Sequence, residues 1–193
     1  MIVYYHIASD HVKDAVAFGM KLSEYGDTSI KTGNNLKNVI VAYLCPSDDI
    51  KRYNLPRYTC LCIEIPGERA YIIEGAYLEM GNSDAVNQSI CAAKDYNVGT
   101  YRKPLALITT TVFSENIRIL DKYMDIPILI QNSEELYLKN ALTDMENSDQ
   151  RYYEKALAGY ISMTSDAKKL SEKGEYTIYS LRDKKYIVKK SGN

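Results

Sequence analysis

The chain has 193 residues, 46% hydrophobic and 25% charged, with 24 basic against 25 acidic side chains for a formal charge of −1. A chain of this length buries roughly 70% of its unfolded surface without help from metals or disulfides, so a single domain over residues 1–193 is expected. Near neutrality excludes a general electrostatic attraction to nucleic acid, average composition excludes a disordered or fibrous chain, and no apolar run approaches the roughly 20 residues that span a bilayer.

The opening Met1-Ile2-Val3-Tyr4-Tyr5-His6-Ile7 is β-branched and aromatic and predicts a strand. Ser9-Asp10 then supplies a cap for a helix over His11 to Leu22, with Val12, Ala15, Val16, Gly19 and Met20 as its apolar stripe. The polar stretch Ser23 to Lys37, with Gly26, Gly33, Asn34 and Asn35, reads as a mobile loop. Val39 to Leu44 is a compact apolar run consistent with a buried strand, closed by Pro46-Ser47-Asp48-Asp49 and a short helical turn to Tyr53.

Arg57 to Ile65 alternates as a strand, and the turn Pro66-Gly67-Glu68-Arg69 is expected to return Ala70 to Glu74 antiparallel beside it. Asp84 to Asp95 has helical spacing, Leu105 to Val112 is strand-like, and Ser114 opens a short helix with Ile117 and Leu120 as its stripe. Ile126 to Ile130 reads as a strand, and helices are expected from Ser133 to about Met145 and from about Tyr152 to Lys173. Tyr176 to Leu181 and Tyr186 to Lys190 close the chain as a β-hairpin. Strands and helices without a regular βαβ rhythm make the fold class α+β, a mixed or antiparallel sheet with short helices and a helical segment, insertion or subdomain, at about 133–173.

Cys45, Cys60, Cys62 and Cys91 lack the paired spacing of a zinc knuckle, so no metal is expected, and with no secretory leader the thiols are expected to stay reduced in the cytoplasm. Cys60 and Cys62 share one strand face as small buried hydrophobes. Eighteen tyrosines against two phenylalanines and no tryptophan put many rings at core edges or on a groove. No Gly-x-Gly-x-x-Gly, Gly-Lys-Ser/Thr or Gly-x-Ser-x-Gly is present, and His6 and His11 are the only histidines. His11, in the first turn of its helix, reads as a surface residue, whereas His6 sits on the first strand at the edge of a polar turn.

Val3-Tyr4-Tyr5-His6-Ile7-Ala8-Ser9, a helix, and then Phe18-Gly19-Met20-Lys21-Leu22 resemble the start of ADP-ribosyltransferase-like domains, in which a strand-borne His is followed by Ser or Thr, a helix and a Gly-hydrophobic turn. The match covers about 25 residues, with a looser similarity of Tyr101 to Ile108 and Ile117 to Leu120 to DarT-like members. The resemblance implies an NAD cofactor, a nicotinamide ribose bonded by His6 with Ser9 beside it, a stacking ring at Tyr43, and a protein or nucleic-acid acceptor. It also implies a Glu that stabilises the oxocarbenium-like ribosyl centre; no Glu stands on the late strand, and Glu74 and Glu79 are the substitutes by composition.

Arg57 and Arg102, each beside a Tyr, are candidates to clamp a phosphate. Glu64, Glu74 and Glu79 are alternatively paired carboxylates for acid-base work. The competing reading is a non-catalytic binding or inhibitor protein, with a mobile element as a candidate origin, that docks a protein through a Tyr-rich surface and the 133–173 helices.

Overall fold

The β-branched and aromatic opening forms strand β1 (Ile2–Ala8). The computed structural model describes residues 1–32, 35–53, 55–120, 132–148, 176–181 and 184–189. Helix α1 (Val12–Phe18) follows, but Ser9 does not cap it: His11 occupies the cap without a side-chain hydrogen bond, and Ser9 Oγ instead lies 3.1 Å from Thr59 Oγ1. The helix stops at Gly19, short of Leu22, because Met20 leaves to exchange backbone hydrogen bonds with Val112 at 2.8 and 3.0 Å.

The described residues of the polar stretch expected as a mobile loop instead form a helical turn, α2 (Leu22–Tyr25), strand β2 (Thr28–Thr32) and the start of β3 (Asn35–Tyr43). Across this strand pair Ser29 Oγ donates to Asn38 Oδ1 at 2.7 Å, so the polarity marks a solvated strand pair.

Strands β4 (Tyr58–Glu64), β5 (Ala70–Glu74), β6 (Cys91–Ala92), β7 (Pro104–Ile108) and β8 (Ile117–Ile119) complete the sheet, with α3 (Gly75–Glu79) and α4 (Ser83–Ser89) between β5 and β6. The sheet order is β6-β5-β7-β3-β1-β4-β8, with β2 also on β3, and every pairing is antiparallel. The expected return of 70–74 beside 57–65 does not form: β4 pairs with β1 and β8, while β5 pairs with β6 and β7. The segment read as a helix at Ile117 is a strand, drawn to Ile63 and Leu61 of β4 after a 3-10 turn at Ser114–Asn116.

Helix α5 (Ser133–Ser148) and the antiparallel pair β9 (Tyr176–Leu181) and β10 (Lys184–Lys189) follow. The strand expected at 126–130 and the helix expected at 152–173 lie outside the described residues. The chain divides into two units, Met1–Tyr137 with the large sheet and Leu138–Asn193 with the β9–β10 pair. The fold is α+β, and no helix among the described residues is long and apolar enough to cross a membrane.

The sheet separates two cores. Ile40, Ala42, Ile72, Ala106 and Ile108 face one with Val3, Leu61 and Ile63; Val39, Ile73 and Leu107 face the other with Ile30 and Val86. Burial on both faces explains why β3 and β7 read as unbroken apolar runs rather than alternation. Each fully buried aliphatic side chain contributes about 1.5–3 kcal/mol, so these strands form a rigid frame for what projects from β1.

Candidate functional site

Strand β1 pairs with β4 along all seven residues but with β3 only through Tyr4↔Tyr43. Beyond Tyr4 the two strands part, and residues 35–39 of β3 pair with β2 instead. The sheet is therefore forked at Tyr5 to Ala8, and a cleft of about 410 Å3 opens there. Tyr5, His6, Ile7 and Ala8, successive residues of β1, border it with His11, Glu24, Tyr25, Arg52 and Tyr58.

His6 is a polar residue inside an apolar strand, 3% exposed, and neither ring nitrogen has a hydrogen-bond partner among the described residues. Its Nδ1 stands 3.6 Å from Asp49 Oδ2, just beyond hydrogen-bond contact, and that carboxylate is itself 3% exposed and unbonded at Oδ2. Arg52 Nη1 approaches the same oxygen at 3.5 Å. Tyr53 stands edge-on to the imidazole with centroids 6.1 Å apart. Burial pushes the His6 pKa below its ordinary value, against the attraction of Asp49 and with the repulsion of Arg52, so the ring is neutral near pH 7.

Asp49, Arg52 and Tyr53 come from the turn that follows β3, where Pro46 starts a 3-10 helix and Tyr53 N bonds back to Asp49 O at 2.9 Å. Arg52 and Arg57 both lie over the Tyr58 ring, at 5.6 and 5.3 Å from its centroid, and Arg52 and Tyr58 line the cleft. Tyr25, edge-on to Tyr5 at 6.3 Å, and Glu24, paired with Lys21, border it from α2.

Of the site residues proposed from the sequence (His6, Ser9, Tyr43, Arg57, Glu74, Glu79 and Arg102), His6 is the one that lines the cleft. Tyr43 shares its sheet face: it lies opposite Tyr4, two positions from His6. Its phenol is pushed up to about 12 by burial, and by Asp49, Glu79 and Asp48 against Arg52, so it stays neutral. Ser9 and Arg57 lie just past the open end of β1, where Ser9 N bonds Arg57 O at 2.9 Å. Glu64 is at the far end of β4, opposite Ile2.

Glu74 is held by backbone: Oε1 accepts from Ala76 N at 3.3 Å and Lys103 N at 3.0 Å, and Oε2 from Arg102 N at 2.7 Å. Arg102 is ion-paired with Glu134, and the exposed Glu79 with Lys103 at 3.1 Å. His11 is exposed beside Asp10 at the cleft rim. Among the described residues no three His, Cys, Asp or Glu side chains gather as a metal site.

Asp49 and Arg52 are the residues that the sequence reading missed. Their only signal is a pair of acids directly after an apolar strand, which reads equally well as a helix cap. Comparison with protein-family models, with curated proteins and with solved structures returned no match, so the geometry itself carries the functional argument.

Proposed function

We propose that the chain is an NAD-binding, ADP-ribosyltransferase-like protein of the cytoplasm, which holds the nicotinamide riboside end of NAD in the cleft along Tyr5 to Ala8 of β1 and modifies a protein or nucleic-acid acceptor. The observation that carries this reading is His6, a buried imidazole with both nitrogens unsatisfied in the wall of a cleft. An unpaired buried polar atom costs about 1–3 kcal/mol, a cost that native folds tolerate where function requires the group. The cleft volume lies in the range of small-molecule sites.

Arg52 takes the role of phosphate partner that Arg57 and Arg102 were expected to fill, supported by its place in the cleft wall. Tyr43, a neutral phenol on the face of His6, is assigned to the nicotinamide ring. The carboxylate role for the developing ribosyl cation is assigned to Glu79, exposed and paired with the Lys103 side chain, rather than to Glu74, whose oxygens are engaged by backbone. Both His6 nitrogens are buried, so a ligand reaches them only if neighbouring side chains yield.

Calorimetric titration with NAD and with ADP-ribose tests the reading. Binding that weakens about ten-fold or more in His6→Ala is expected, with Glu79→Gln retaining binding but losing transfer of label from NAD to a lysate. Absence of binding by the wild-type chain at millimolar nucleotide would overturn it. The second reading, a non-catalytic docking protein, is favoured by Phe18 and Phe113, 75% and 55% exposed on adjoining backbone. It expects no nicotinamide release at all.

A further inference from the structure

We infer that Asp49 is a positioning residue for His6: it holds the imidazole in the tautomer with its proton on Nδ1, so that Nε2 meets a ligand as a hydrogen-bond acceptor. The inference rests on the nucleotide reading of the fork and adds the polarity of the contact made there. Asp49 Oδ2 is the polar atom facing Nδ1, at 3.6 Å, with the two side chains 3% and 2% exposed. A carboxylate oxygen only accepts, so an Nδ1 lone pair turned toward it is repelled and an Nδ1–H is attracted. In a setting that water does not reach, this preference is screened little. Arg52 Nη1, at 3.5 Å from the same oxygen, offsets the carboxylate charge.

The consequence is chemical selectivity. With the lone pair on Nε2, the group that satisfies it must donate, as a ribose hydroxyl does, whereas a phosphate oxygen would meet a second lone pair. The anion is sent to Arg52 instead, which is steadied over Tyr58 and lines the cleft. The ligand class that fits both is a sugar hydroxyl close to a phosphate, as in ADP-ribose.

Long-range proton–nitrogen NMR correlation on the 15N-labelled, ligand-free chain reads the tautomer directly, with His6→Gln identifying which signals belong to His6. An Nδ1–H, Nε2-lone-pair pattern is expected in the wild type; an Nε2–H pattern or an even mixture would overturn the inference. Asp49→Ala is expected to shift the population toward Nε2–H and to weaken ADP-ribose about ten-fold, with partial return in Asp49→Glu. Unchanged tautomer and affinity in Asp49→Ala would equally overturn it. If Asp49→Ala does not fold, the wild-type spectrum still decides. If the wild type binds neither NAD nor ADP-ribose, the nucleotide reading fails while the tautomer result stands or falls by itself.

Discussion

Gly19 ends α1 at φ +82° and ψ −179°, a backbone conformation that residues with a Cβ rarely adopt. A Cβ added there would stand 2.4 Å from Val112 O and 3.2 Å from Ser114 N, both backbone atoms that cannot swing aside. Gly19→Ala is therefore expected to destabilise the fold by about 2 kcal/mol or more, through strain and overpacking together. Urea unfolding checks it: the midpoint should fall with an unchanged slope. In the sequence Gly19 stood within the apolar stripe of the expected helix, and the structure explains it as the close approach that lets Met20 and Val112 pair. His6 was legible for a similar reason, as a polar side chain on an apolar strand. Asp49 was not, because an Asp in Pro-Ser-Asp-Asp is an ordinary turn residue until the fold brings it against His6.

Among the elements, the turn after β3 matters most, because it delivers Asp49 and Arg52 to the cleft. It is tied down by Asp48, whose Oδ1 accepts from Ser133 N at 2.8 Å and whose Oδ2 accepts from Ser133 Oγ at 2.6 Å and Cys45 N at 3.0 Å. Two of these bonds satisfy groups at the first residue of α5, and Asn132 Oδ1 serves the next N–H, that of Glu134, at 2.8 Å. Asp48→Ala leaves Ser133 N and Oγ without those partners in a buried position, for a loss of about 1–3 kcal/mol. It is also expected to weaken nucleotide binding by loosening Asp49, whereas an exposed control, Lys13→Ala, should change neither. Thermal melts and the calorimetric titration together read both effects. The start of α5 at Ser133 followed from Ser-Glu-Glu in the sequence, but its outside cap did not, since Asp48 is far away along the chain.

For the molecule as a whole, His6 makes stability depend on pH. Its folded pKa is depressed below the ordinary 6.5, so below that pH the unfolded chain takes up a proton that the folded chain resists. The stabilisation is complete above 6.5 and is lost as pH falls toward the folded value, by about 1.4 kcal/mol for each unit of depression. Asp48 acts oppositely in a lower window: burial raises its pKa above 3.8, so its protonation favours the folded chain as pH falls through the carboxylate range. Denaturant midpoints measured from about pH 7.5 down to about pH 5 should decline for the wild type and hold level for His6→Gln, and parallel curves would refute the assignment.

The α+β class, the strands around His6, Val39 and Leu105, and the closing hairpin were determined by the sequence itself, because apolar runs and β-branched composition act over a few residues. Only the tertiary structure decided that β5 joins β7 rather than β4, and that β1 parts from β3 after one pair. Strand pairing is set by which faces must be buried together across the whole first unit, and neighbouring segments carry no record of that. The same holds for the cleft: a single histidine signals that something polar is held in the apolar frame, but the charges facing it arrive from a turn whose composition would be identical in open solvent.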